Sequence, residues 1–155
     1  MHTYNFGEIA PAFFERVNAM VWCSAATVDA KGRPRARVLH PIWEGSTAWI
    51  SADPASPKGR DLEGTPYMSL AYVSDPFNPA YAECNAEWIT NTAIRRHVWE
   101  LLRKTPPPVG FDPEPIYSPI DVREAGRPYF GVLKLTPYRI TLSGYPDPAV
   151  VWTPG

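Results

Sequence analysis

The chain has 155 residues, with 15 Lys and Arg against 16 Asp and Glu for a net charge of −1, so it fits one domain over 1–155 and lacks the basic excess of a general nucleic-acid binder. Two cysteines, Cys23 and Cys84, fall in no zinc-like spacing, and a domain of this size needs no disulfide, so a reduced, cytoplasmic protein is the simplest expectation. No basic and apolar leader opens the chain and no stretch is long enough to span a bilayer, so neither a membrane nor a nucleic acid is an expected partner.

Ile9, Phe13, Val17 and Met20 recur near every fourth residue, with Glu8, Glu15, Arg16 and Asn18 between them, which predicts an amphipathic helix over 8–19. Val21 to Val28 has strand composition, and Asp29-Ala30-Lys31-Gly32 is a turn into a second strand, Arg33 to Leu39. A turn at 43–47 and a strand over 48–51 make this half read as an antiparallel meander, ended by Pro54 and Pro57 before a short helix over 58–62. Strands over 67–73 and 81–89 follow; Glu83 and Glu87 share a face of the second, read as barrel surface or subunit contact.

Thr90 or Asn91 caps a second helix with Ile94, Val98, Leu101 and Leu102 on one face, and with Arg95, Arg96, Arg103 and Lys104 read as exposed. Pro106-Pro107-Pro108 stops it. The following run through Gly110, Pro113, Pro115 and Pro119 reads as an irregular arm laid along a surface, a second subunit's included. A last strand runs over 129–135, breaks at Thr136-Pro137 and resumes over 139–142. The tryptophans at 22, 43, 49, 88 and 99 read chiefly as core or dimer contacts, with Trp43 able to edge a pocket. Five or six antiparallel strands with peripheral helices predict a small β-barrel.

In an extended strand, Arg33, Arg35 and Arg37 share one face and Ala36 and Val38 the other. Guanidiniums so placed repel each other, and a phosphate suits their forked donors. The segment from Ile50 to Lys58 adds the hydroxyls of Ser51 and Ser56, the Lys58 ammonium and the N–H groups of a helix opened by Ser56-Pro57. A lysine in a first helical turn opposes the dipole unless an anion sits there. Arg33, in the turn, is more simply a solvated charge, and Arg35 is open between the two roles. His40 is read as contributing backbone contacts more than acid–base chemistry, and no nucleophile has a base beside it, so no catalytic residue is assigned.

The order Gly-Arg-Pro-Arg-Ala-Arg-Val-Leu (32–39), Ile-Ser (50–51), Ser-Pro-Lys (56–58), Tyr-Met-Ser-Leu-Ala-Tyr-Val (67–73) and Ala-Glu-Trp-Ile (86–89) resembles the pyridoxamine 5′-phosphate oxidase-like group. The resemblance implies a mainly β fold with peripheral helices, a six-stranded antiparallel split β-barrel that forms a homodimer with FMN between subunits. It assigns Arg37 and Lys58, with Arg35 as a further candidate, to the phosphate, and Ser51 and Ser56 to hydroxyl donation. Val38, Leu39 and His40, with Ile50 opposite, would lie along the flavin ring, and Trp152 would reach the partner's flavin. Pro79 stands where the family enzyme has a ring-contacting amide, and the C-terminal Arg/His pair that would grip pyridoxal phosphate is missing, so the vitamin B6 reaction is not implied. The expectation is an FMN-binding oxidoreductase acting on a small organic substrate. The alternatives are a reductase using the deazaflavin coenzyme F-420 and a non-catalytic flavin or haem carrier or sensor.

Overall fold

A computed structural model describes residues 1–155. In chain order the elements are β1 (His2–Thr3), α1 (Phe6–Ala19), β2 (Cys23–Val28), β3 (Pro34–Leu39), β4 (Ile42–Glu44), β5 (Thr47–Ser51), α2 (Pro57–Gly64), β6 (Tyr67–Tyr72), β7 (Ala80–Ile89), α3 (Thr92–Lys104), β8 (Val132–Leu142) and β9 (Val150–Trp152). The asparagine side chain of Asn5 accepts from the Gly7 N–H and starts α1 two residues before the apolar spacing does. Asn91 caps α3 in the same way through the Ile94 N–H. Gly32 and Gly45 take φ of 77° and 58° in the β2–β3 and β4–β5 turns, a region that costs a residue with a Cβ. No helix is long and apolar enough to cross a membrane.

The strands form one mainly antiparallel sheet of nine, ordered β1-β9-β8-β7-β6-β2-β3, with the β4–β5 hairpin joined to it through β8. This is the expected split barrel, with a parallel β1–β9 pair and the short strand β4 added to the six strands foreseen. The meander is corrected: β5 does not neighbour β3 but crosses to pair with β8, so β3 and β4 are both free edges. The final strand is also continuous through Thr136-Pro137. Its register jumps between Glu83↔Arg139 and Cys84↔Pro137, leaving Tyr138 as a bulge beside a proline that has no N–H to pair.

Opposed residues of adjacent strands share a face, so the register fixes which side chains look inward. Cys23, Ala25, Leu70, Tyr72, Ala82, Cys84 and Ile140 fall on the inner face and are buried, together with Ile9, Phe13 and Val17 from α1. Both cysteines are free, and burial pushes the Cys23 thiol up to about 11. Trp43 belongs to this core: its ring meets Phe13 at 4.7 Å, and its indole N–H donates to the Tyr72 hydroxyl at 2.9 Å. A second cluster, Ile42, Trp49, Val98, Leu102, Phe130 and Val132, lies under α3.

Arg95 corrects the reading of α3. It lies three and seven residues before Val98 and Leu102, hence on their buried stripe, and is only 3% exposed. Its guanidinium donates to the Phe130 carbonyl at 3.1 Å and to the Asp121 carboxylate, and the Tyr129 ring lies 5.0 Å away. Asp121 holds a φ of 66° and also accepts from the Thr92 hydroxyl at 3.1 Å, so one buried cation ties the proline-rich arm of 105–131 to this chain's own α3. The arm thus lies on the surface of its own subunit. Replacing Arg95 by Met strands the buried Phe130 carbonyl and releases the Asp121 carboxylate from α3. A loss of about 1–3 kcal/mol in urea unfolding is expected, with faster limited proteolysis confined to 106–130.

Candidate functional site

Because β3 and β4 do not pair with each other, the chain crosses the split between them at His40-Pro41. A pocket of about 480 Å³ opens there. One wall is Val38, Leu39 and His40 at the end of β3, and the other is Ile50 and Ser51 of β5. These five residues are among those singled out from the sequence, and the fold brings them together. The Ser51 hydroxyl sits 3.0 Å from that of Tyr117, which engages it across the pocket.

The roof was not foreseen. Trp22, read as core or dimer contact, is 57% exposed and lines the pocket, and the arm contributes Pro108, Gly110, Phe111, Ile116 and Tyr117. The arm doubles back on α3 through Phe111 N–H to Leu102 carbonyl at 3.0 Å and Gly110 N–H to Pro106 carbonyl at 3.1 Å. A Cβ on Gly110 would stand 2.1 Å from the Thr105 carbonyl oxygen, so only glycine permits this approach. The legible signal was the glycine that follows three prolines among aromatic residues.

Next to the pocket on the same strand, Arg37 points to the inner face. Its guanidinium donates to Thr27 Oγ1 at 2.8 Å and lies 3.5 Å from the Asp61 carboxylate of α2, which in turn accepts from the Thr27 hydroxyl at 2.8 Å. Lys58, in the first turn of α2, is half-buried and pairs with no carboxylate within salt-bridge distance. Burial first, and then the nearby Arg37 charge, push its pKa down, with Asp53 opposing. Ser56 occupies the N-cap of α2, yet its hydroxyl makes no capping bond and is buried without any partner. An orphaned hydroxyl, two cations close enough to repel and the free N–H groups of a helical first turn form a donor set that fits a phosphate.

The remaining candidates are placed elsewhere. Arg33 pairs with Asp29 at 2.9 Å in its turn, as a solvated charge. Arg35 is exposed on β3 with no carboxylate partner. Trp152 is a correction, since it neither lines the pocket nor presents its ring outward. It is 6% exposed, packs edge-on against Phe6 at 5.5 Å and donates its indole N–H to the Tyr4 carbonyl at 3.3 Å.

A family model described as pyridoxamine 5′-phosphate oxidase matches residues 9–143, and the chain belongs to that family. Among curated proteins, none matches the sequence significantly. Among solved structures, a pyridoxamine 5′-phosphate oxidase-related, FMN-binding protein from Nostoc punctiforme is similar with 19% identity and a TM-score of 0.63, over 92% of this chain and 85% of that one. A protein of Clostridium acetobutylicum, related to general stress protein 26 of B. subtilis, is similar with 12% identity and a TM-score of 0.66 over 96% of each chain. An F-420 reductase is similar with 13% identity and a TM-score of 0.57, over 83% of this chain and 94% of that one. At such identities the likeness carries the fold alone.

Burial holds the pKa of His40 below its ordinary 6.5, with the Val109 carbonyl acting the other way. A depressed pKa makes the folded state bind the proton less readily than the unfolded chain. The stabilisation is therefore present above pH 6.5 and lost as pH falls through the folded value. Urea midpoints are expected to fall as the pH drops below 6.5, and less steeply in a His40→Gln variant. Parallel profiles for the two proteins would contradict this.

Proposed function

We propose that this protein binds FMN at the split of its barrel and works as a homodimeric oxidoreductase on a small organic substrate. The observation that carries the reading is the continuity of one stretch of chain: β3 contributes Arg37 to the phosphate-fitting cradle and Val38 and Leu39 to the adjoining pocket, and His40, the next residue, lines that pocket too. Arg37, Lys58 and Ser56 would hold the phosphate, and the pocket walls would orient the ring. FMN, when bound, supplies the redox chemistry. The chain's own residues then bind, orient and exclude water. No pyridoxal phosphate grip is included, because Pro79 offers only a carbonyl, which accepts from Arg16 at 2.9 Å and from the Ser143 N–H at 3.2 Å.

The dimer is supported by the outer face of the sheet. By register, Ser24, Ala36, Val38, Ser69 and Tyr81 share that face across β2, β3, β6 and β7, and small or apolar side chains there are left in water. Val38 is 65% exposed and also lines the pocket, so a second copy seated on this face would cover the pocket mouth. A second reading, use of coenzyme F-420, is favoured by the unpaired Arg35 beside the cradle, which suits a longer acidic tail.

Alanine at both Arg37 and Lys58 is expected to weaken FMN binding by about 100-fold, through two lost charge-assisted contacts, while leaving riboflavin, which has no phosphate, unaffected. Isothermal titration with a thermal-melt control reads this, and equal FMN affinity in the double variant removes the cradle. Ala36→Glu, on an exposed strand position, is expected to convert a dimer to a folded monomer in sedimentation velocity. Reduction of bound FMN by a nicotinamide donor supports the oxidoreductase, whereas tight binding without turnover over a broad acceptor panel supports a carrier.

A further inference from the structure

β2 turns Cys23, Ala25 and Thr27 inward, and all three are at most 2% exposed. A buried strand position of that kind is filled at least cost by an apolar β-branched side chain, and Val has the shape of Thr without the hydroxyl. The Thr27 hydroxyl therefore needs contacts that offset its burial, and it has two. It donates to the Asp61 carboxylate at 2.8 Å, which commits its only proton. Toward the Arg37 guanidinium, which carries donors alone, Thr27 Oγ1 accepts at 2.8 Å.

The residues so linked belong to different elements. Ala25 opposes Arg37 in the β2–β3 register, which puts Thr27 one diagonal step from Arg37 on the same face. Asp61 comes from α2, three residues after Lys58 and five after Ser56. One hydroxyl thus spans the strand and the helix that together carry the phosphate-fitting donors. It also separates two opposite charges. Arg37 Nη2 lies 3.5 Å from Asp61 Oδ2, longer than the roughly 2.7–2.9 Å of a charge-assisted hydrogen bond, while the shorter bond of this guanidinium goes to the neutral threonine. A guanidinium closed bidentately on a carboxylate that is itself 8% exposed would be largely neutralised. Held off it, Arg37 has only two of its N–H groups engaged, and its side chain is 21% exposed, so an anion can reach it.

We propose that Thr27 is a positioning residue for the phosphate, its hydroxyl acting as a spacer that holds the Arg37 guanidinium off the Asp61 carboxylate and leaves it free for an anion. The ligand class is a phosphate monoester, and the proposal rests on the cradle reading above. Without the hydroxyl, Arg37 closes on Asp61 and Lys58 meets the phosphate unaided.

The test titrates FMN and riboflavin, which differ by the phosphate alone, against the full-length protein by fluorescence. Thr27→Val is expected to bind FMN roughly tenfold more weakly than wild type and riboflavin equally well, the loss of about one charge-assisted contact. Thr27→Ser, which restores the hydroxyl, is expected to recover most of that loss. Asp61→Asn supplies a readout that a packing role leaves unmoved. Because the carboxylate captures Arg37 only when the spacer is gone, Asp61→Asn is expected to raise FMN affinity by a larger factor in the Thr27→Val background than in wild type. Equal factors in the two backgrounds, an FMN preference kept intact in Thr27→Val, or a parallel loss of riboflavin overturns the proposal. The two readings fail differently: a wild type that binds FMN no better than riboflavin overturns the cradle and the spacer with it, whereas a wild type and a Thr27→Val variant that prefer FMN equally remove Thr27 alone. Should Thr27→Val fail to fold, the wild-type crystal structure with FMN decides. Arg37 bonded to both Thr27 Oγ1 and a phosphate oxygen supports the spacer, and Arg37 paired bidentately with Asp61 contradicts it.

Discussion

Everything about the site follows from how β8 is shared. It pairs with β7 over its whole length, with β5 through Val132 to Leu135, and with β9 through Ile140 to Leu142. Only one strand can hydrogen-bond to a given stretch of each β8 edge, so recruiting β5 to β8 takes the β4–β5 hairpin away from β3. The barrel therefore cannot close. The bulge at Tyr138 lets one strand bend enough to serve these partners, and Pro137 costs nothing there because its missing N–H falls where the ladder is already broken. The gap left between β3 and β4 is where the pocket lies.

A free strand edge normally invites association with another chain. Here the two faces of the edge strand β3 differ in character. Inward, Arg37 is braced by Thr27 and Asp61 beside Lys58, a cationic corner whose mutual repulsion an anion would relieve. Outward, Val38 looks over a pocket lined by no charge. A ligand with one phosphate and one flat neutral ring matches that division, because each part meets the environment that stabilises it. The arm completes the enclosure, and its position depends on the buried Arg95 and the close approach at Gly110.

The parts of this arrangement legible in the sequence were those that depend on local periodicity. Alternation gave β2, β3, β6 and β7 nearly to the residue, and the Ser56-Pro57 start gave α2. The site strand was legible for the same reason: Val38, Leu39, His40, Ile50 and Ser51 sit where strand ends meet a turn. What failed was non-local. Pairing of β5 with β8 spans some eighty residues and leaves no local mark. The arm has no period, so Phe111 and Tyr117 could not be placed over the pocket before the fold was known. The charge of Arg95 argues for exposure while its helical phase puts it on the buried stripe, and the burial of Trp152 depends on the non-local pairing of β9 with β1 and β8.

The central claim is that one stretch of chain serves a phosphate at Arg37 and a planar ring at Val38 to His40. A crystal structure of the protein grown with FMN measures this most directly. The account predicts the phosphate oxygens at hydrogen-bond distance, about 2.7–3.2 Å, from Ser56 Oγ, Lys58 Nζ and Arg37, with the ring in the pocket under Phe111 and Tyr117. A ring in that pocket with its phosphate directed to solvent, or FMN bound on another face of the barrel, would contradict it.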